Sequence, residues 1–243
     1  MKTIYHTPRG LVYDLYQDML RQPHLLIAGA TGSGKSVVIN AIMHTALHDS
    51  PARVEFILID PKRVELSMYR KLPHVVQYAS EPADMVAALN TAIAITEKRY
   101  RAMAKAGQRK FDGADLYVII DELADLMTTN KKGVMPLLQR LCQIGRAAGV
   151  HVIAATQCPL SAVIPTPIKV NFDARVALRT RCAQDSRNIL GLTGCEQLPR
   201  YGQGYYMTPE GLTRYNLPMI PEADLTDIIR YWQSPKCKTR RLF

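Results

Sequence analysis

Gly29-Ala30-Thr31-Gly32-Ser33-Gly34-Lys35-Ser36 fits the spacing GxxxxGK[ST], and each residue type in it has a task in holding a polyphosphate. The glycines let backbone N–H groups curl around a phosphate, and the N-terminus of a following helix adds its dipole. Lys35 is placed to reach the β- and γ-phosphates, and the Ser36 hydroxyl to ligate Mg²⁺. The loop stands between an apolar run, His24-Leu25-Leu26-Ile27-Ala28, and a helix-forming stretch. That context favours a nucleotide site over a plain glycine-rich turn.

A second group lies downstream. Asp121-Glu122 closes the apolar run Tyr117-Val118-Ile119-Ile120. An acid at the end of such a strand holds the water shell of Mg²⁺, and a carboxylate beside it polarises water as a general base. The plainer reading of Glu122 is that it starts the next helix, where acids are favourable. Taken with the loop, the paired acids point to hydrolysis rather than passive binding, hence an ATPase. Gln157, after Thr156, is either a γ-phosphate sensor or a turn residue. Arg146, in Gly-Arg-Ala-Ala-Gly, is a helix-end dipole partner unless a neighbouring subunit's phosphates approach it.

The elements that must position these residues alternate in the α/β manner. Strands are predicted at 24–29, 52–60, 116–122, 150–156 and 173–180. Helices are predicted at 35–48, from Pro82 to a stop at Gly107, at 136–148, and briefly over Asp185–Leu190. Residues 204–216 read as a hairpin turning at Pro209-Glu210-Gly211. The boundaries are a lead-in over 1–22, one motor domain over 23–233, and a basic, frayed tail over 234–243.

The 243 residues are 47% hydrophobic and carry a formal charge of +10, which suits one core-bearing domain with a polyanionic partner. Its 5 cysteines are scattered with no CxxC pair, so reduced thiols and a cytoplasmic location are expected. No apolar run approaches the roughly 20 residues of a membrane helix. Any attachment to a membrane then falls to another polypeptide.

The order of these pieces resembles the motor domain of the FtsK/SpoIIIE family of DNA translocases. The match runs through PHLLIAGATGSGKSVVIN, LIDPKRVELSMY, LPHV, EKRYRAMA, VIIDELADLM, GRAAGVHVIAATQ, DSRNIL and GCEQL with GQGYY, from about Gly10 to Pro221. The resemblance implies a RecA-like P-loop NTPase fold: a mainly parallel central sheet flanked by helices, with a C-terminal β-hairpin. It implies ATP and Mg²⁺ as cofactors, and a hexameric ring of identical subunits around double-stranded DNA. By motif position Lys35 and Ser36 are the Walker A residues, Asp121 and Glu122 the Walker B pair, Gln157 the sensor, and Arg146 an arginine finger supplied in trans.

Asp60-Pro61-Lys62 matches the family's signature turn and is read as structural. Two expected basic positions are replaced, by Cys158 and Ala183. The family's winged-helix module and membrane spans have no counterpart here. Lys169, Arg175, Arg179, Arg181 and Arg187 are the candidates to hold DNA phosphates, with a solvated basic face as the plain alternative. On a strand, Arg179 and Arg181 would share one face. Plasmid or mobile-element transfer, or chromosome partition, would be the process served. A secretion ATPase moving proteins is the alternative.

Overall fold

The computed structural model describes residues 3–4, 9–160 and 163–234, with side chains from residue 15 onward. Its elements run β1 (Thr3–Ile4), α1 (Arg9–Arg21), β2 (His24–Ala28), α2 (Lys35–Ala46), β3 (Val54–Ile59), β4 (Val75–Ala79), α3 (Pro82–Ala106) and β5 (Asp115–Ile120). Then come α4 (Leu123–Ile144), β6 (Val150–Thr156), α5 (Thr166–Lys169), β7 (Ala174–Ala177), α6 (Ala183–Leu190), β8 (Gln203–Thr208), β9 (Gly211–Asn216) and α7 (Glu222–Gln233). Among the described residues the strands form one sheet in the order β1-β9-β8-β7-β2-β6-β5-β3-β4. Only β8 runs against the others, in the hairpin with β9. The α/β architecture with a mainly parallel sheet and C-terminal hairpin is therefore as expected.

The central strands are continuous apolar runs because both faces are covered. Leu25, Ile27, Phe56, Leu58, Tyr117 and Ile119 share a core with α1 and α2. The alternate residues Leu26, Ile57, Ile59, Val118 and Ile120 share the other core with α3 and α4. Full burial of each such side chain stabilises the fold by about 1.5–3 kcal/mol. A slip of one residue in register would exchange the two sets.

Helix α1 lies in the segment read as a lead-in, and its Tyr16, Met19 and Leu20 belong to the first core. The Tyr206 hydroxyl donates to Asp18 Oδ2 at 2.9 Å, tying α1 to the hairpin. Helix α3 has Pro82 in its first turn and Gly107 as a left-handed cap at φ 66°. Helix α4 departs from expectation: it begins directly after Glu122, not at Pro136, and kinks at Asn130 (φ −153°, ψ 63°). The Asn130 side chain accepts from the Gly133 N–H at 3.0 Å, capping the second half. The tail over 235–243 lies outside the described residues.

Candidate nucleotide site

Strands β2, β3, β5 and β6 are parallel neighbours, so their C-terminal ends deliver the glycine loop, Asp60, Asp121 and Thr156 to one edge. Ligands bind at that edge in open α/β sheets. The loop is anchored on both sides: Gly29 N–H donates to the Thr156 carbonyl at 3.3 Å, and Ala30 N–H to the Arg179 carbonyl at 2.8 Å. A side chain at Gly29 would meet Ser33 Oγ at 2.6 Å and Leu178 Cβ at 2.8 Å, so only glycine fits.

The rest of the loop is open. The N–H groups of Thr31, Gly32, Gly34, Lys35 and Ser36 make no hydrogen bond to the described residues. Gly34 holds φ 102°, which L side chains rarely adopt. The buried Ser33 Oγ has no partner among the described residues. These groups form a donor-lined cradle at the start of a 12-residue helix, which fits a polyphosphate.

Lys35 Nζ donates to the carbonyls of Gly29 at 2.8 Å and Ala30 at 3.0 Å. Burial pushes its pKa down to about 8, with Glu122 and Asp121 pulling upward.

Glu122 is the most elaborately held acid. It is 2% exposed. Its Oε1 accepts from the Thr156 hydroxyl at 2.8 Å, Gln157 N–H at 3.1 Å and Ala124 N–H at 3.2 Å. Its Oε2 keeps only a shared bond from Gln157 N–H at 3.1 Å and the Lys62 ammonium at 3.9 Å. Oε1 anchors the group, and Oε2 is left for chemistry. The Gln157 side chain reaches the loop itself, accepting from the Thr31 hydroxyl at 2.6 Å.

The turn after β3 enters the same group. Lys62 sits between Glu122 and Asp125, 3.6 Å from the latter. Arg63 adopts a left-handed φ of 58°, a strained setting for a residue with a Cβ. Asp60 is fully buried; its Oδ2 accepts from Leu66 N–H and the Tyr78 hydroxyl. Sequence reasoning took this turn as structural and named Thr156 only as the strand end before the sensor Gln157. The signal for both is position at a strand's C-terminal end: Thr156 is the last residue of β6 and Asp60 the first after β3, the two strands that flank β5.

Asp121 feels this company. Burial, then Asp60, Glu65 and Glu122, push its carboxyl from 3.8 to about 7, and Lys62 pulls it back. A buried acid so disfavoured as an anion fits a divalent cation nearby. Among the described residues no three His, Cys, Asp or Glu are grouped to hold a metal alone. A magnesium held by one hydroxyl, a water-bridged carboxylate and phosphate oxygens needs no such group.

The raised folded pKa has a stability consequence. The folded state keeps the Asp121 proton where the unfolded chain has lost it, so the contribution is full below about 4 and declines until about 7. In buffer free of divalent cations and nucleotide, Asp121→Asn is expected to melt above the wild type. That advantage should grow from pH 5 to pH 8 and level off. Thermal melts across that range check it, and a pH-independent difference would contradict it.

Arg146 is not brought to this group. It is exposed, in a single 3₁₀ turn before β6, and it lines a cavity of about 920 Å³ with Arg53, Asp115 and His151. Those residues mark the N-terminal ends of the strands. Across seven-residue β6, the two edges are roughly 20 Å apart.

The five DNA candidates also separate. Arg179, Arg181 and Arg187 are exposed and Lys169 is half-buried. Arg181 pairs with Asp185 at 3.3 Å. Arg175 spends its guanidinium on the carbonyls of Phe172, Ile189 and Lys169. Strand β7 ends at Ala177, so the strand alternation expected of Arg179 and Arg181 does not apply to them.

The FtsK/SpoIIIE family model matches residues 11–117 and 114–161. A DNA translocase FtsK of Rickettsia typhi is 38% identical across 89% of this chain and 35% of its own length. One of Agrobacterium fabrum is 36% identical across 88% of the chain and 29% of its own length. The chain thus spans about a third of the length of these curated relatives. Among solved structures, the pCW3 conjugation coupling protein TcpA with ATPγS superposes with a TM-score of 0.77 at 23% identity, covering 88% of this chain and 66% of that one. The type VII secretion ATPase EccC of Thermomonospora curvata gives 0.72, also at 23% identity, over 87% of this chain and 28% of that one. No helix among the described residues is long and apolar enough to cross a membrane.

Proposed function

The chain belongs to the FtsK/SpoIIIE family, and from that premise we propose that it is an ATPase motor that translocates double-stranded DNA. The observation carrying this reading is the convergence of Lys35, Glu122 and Gln157 on one loop while Arg146 stands at the opposite sheet edge. The open loop N–H groups and Lys35 hold the β- and γ-phosphates. Ser36 and Asp121 hold Mg²⁺, which when bound neutralises charge on the phosphate oxygens. Glu122 Oε2 takes the proton of the attacking water. Gln157, hydrogen-bonded to both Thr31 and Glu122, senses the γ-phosphate.

Arg146 serves a neighbour's site across a head-to-tail interface, which closes as a hexameric ring in this reading. Arg179, Arg181, Arg187 and Lys169 supply charge toward DNA, whereas Arg175 braces the fold. A protein-moving secretion ATPase is the weaker reading, because the likeness to EccC at 23% identity carries the fold alone.

ATP hydrolysis with and without long double-stranded DNA tests the proposal. DNA should stimulate turnover, and raising salt should weaken the stimulation as condensed counterions cease to drive binding. Unchanged rates at every salt concentration, with the site hydrolysing ATP, would reject DNA as the cargo.

A further inference from the structure

We propose that Arg200 is a second phosphate-binding residue of this site, supplied by the same chain, gripping the terminal phosphates of the nucleotide at Gly32. The inference rests on the nucleotide reading above and adds a ligand to it. A Cβ placed on Gly32 would lie 3.3 Å from Arg200 Nη2 and 3.8 Å from its Nε. One edge of the guanidinium therefore rests against Gly32, in the middle of the glycine loop. Gly32 holds φ 69°, and its lack of a side chain admits the approach.

Arg200 is exposed and pairs with no carboxylate among the described residues. Its guanidinium carbon lies 5.3 Å from the Tyr201 ring centroid, a contact that orients the side chain without neutralising it. An unneutralised guanidinium beside a loop with five open N–H donors leaves that side of the site rich in donors and poor in acceptors. A planar fork suits phosphate oxygens in a way that a surface arginine without such donors does not.

Position in the chain adds a consequence. Arg200 lies between the 3₁₀ turn Cys195–Gln197 and β8. The Cys195 carbonyl accepts from Thr180 N–H at 3.3 Å, and the Arg179 carbonyl accepts from Ala30 in the loop. A phosphate held by Arg200 would therefore close a circuit: the glycine loop to Arg179, Thr180 to the turn at Cys195, and Arg200 back to the loop.

Equilibrium binding of a fluorescent, non-hydrolysable ATP analogue and of fluorescent AMP, with magnesium, tests this. Wild type, Arg200→Ala, Arg200→Lys and Lys35→Ala are compared, with melting temperatures as a folding check. Arg200→Ala should weaken the triphosphate by about tenfold or more, as expected on losing charge-assisted bonds, and leave AMP nearly unchanged. Arg200→Lys should fall between, keeping charge but not the fork. Wild-type affinity in Arg200→Ala, or an equal loss for AMP, would overturn the assignment alone. Failure of the wild type to bind either nucleotide would overturn the nucleotide reading, and this one with it.

Discussion

Glu122→Gln is expected to lower ATP turnover by about 10²–10⁴-fold, the usual yield of a positioned general base, while ATP binding changes little. The structure makes this substitution unusually informative. Three donors converge on Oε1, and a glutamine oxygen in the same place keeps all three. What changes is Oε2, which becomes an amide NH₂ that can take neither a proton nor the minor share of the Gln157 N–H bond, and the charge facing Lys62 is lost. The rival account is that Glu122 only caps α4, since its side chain does accept from Ala124 N–H. A cap is worth about 1 kcal/mol of stability, and Gln retains it, so that account predicts nearly normal turnover. Steady-state rates beside nucleotide affinity and melting temperature separate the two. Turnover within a few-fold of wild type would remove Glu122 from the chemistry.

How much of this was legible in the sequence varies with the range of the contact. The glycine loop and β5 with its acids are local: periodicity and residue type name them without a partner. The helix was placed at Pro136, and a start at Glu122 kept only as the plainer reading of that acid, because Thr128, Thr129 and Asn130 weaken helical propensity and Pro136 offered a more obvious first turn. In fact Asn130 breaks and re-caps the helix. Strand β4 was missed because it is the edge strand beside β3. Its Val75, Gln77 and Tyr78 are only partly buried and Val76 is exposed, so the pattern lacks a buried strand's continuity.

The remaining gaps depend on strand order. Lys62 meets Glu122 because β3 lies beside β5, and Thr156 meets it because β6 lies on the other side. Arg200 meets Gly32 because the hairpin is added next to β7, which is itself beside β2. None of these adjacencies follows from spacing along the chain. Arg175 was read as a candidate for DNA phosphates because composition cannot show three backbone carbonyls wrapped around one guanidinium. Asp60-Pro61-Lys62 was read only as a structural turn, because spacing cannot show that Asp60 is fully buried or that Lys62 reaches Glu122.

Arg146→Ala is expected to lower turnover by about 10³–10⁵-fold, as loss of an arginine finger does, with little effect on ATP affinity or fold. Arg146 is exposed and beyond reach of its own loop, since β6 separates the two edges of the sheet. A residue so placed influences phosphates only if the next subunit presents them. That geometry gives a mixing experiment a definite sign. In Arg146→Ala rings no interface has a finger, and in Glu122→Gln rings none has a base. Mixed in equal amounts, about a quarter of interfaces pair an intact Glu122 with an intact Arg146, by random assembly around a closed ring. Activity should therefore reappear on mixing two inactive proteins, and rise when the assembly is re-equilibrated before assay. A ring that needs several working sites in succession would recover less, but still more than either variant alone. If mixing restores nothing while the variants demonstrably co-assemble, Arg146 does not act across the interface, and its place in the cavity beside Asp115 and His151 would then be a structural one.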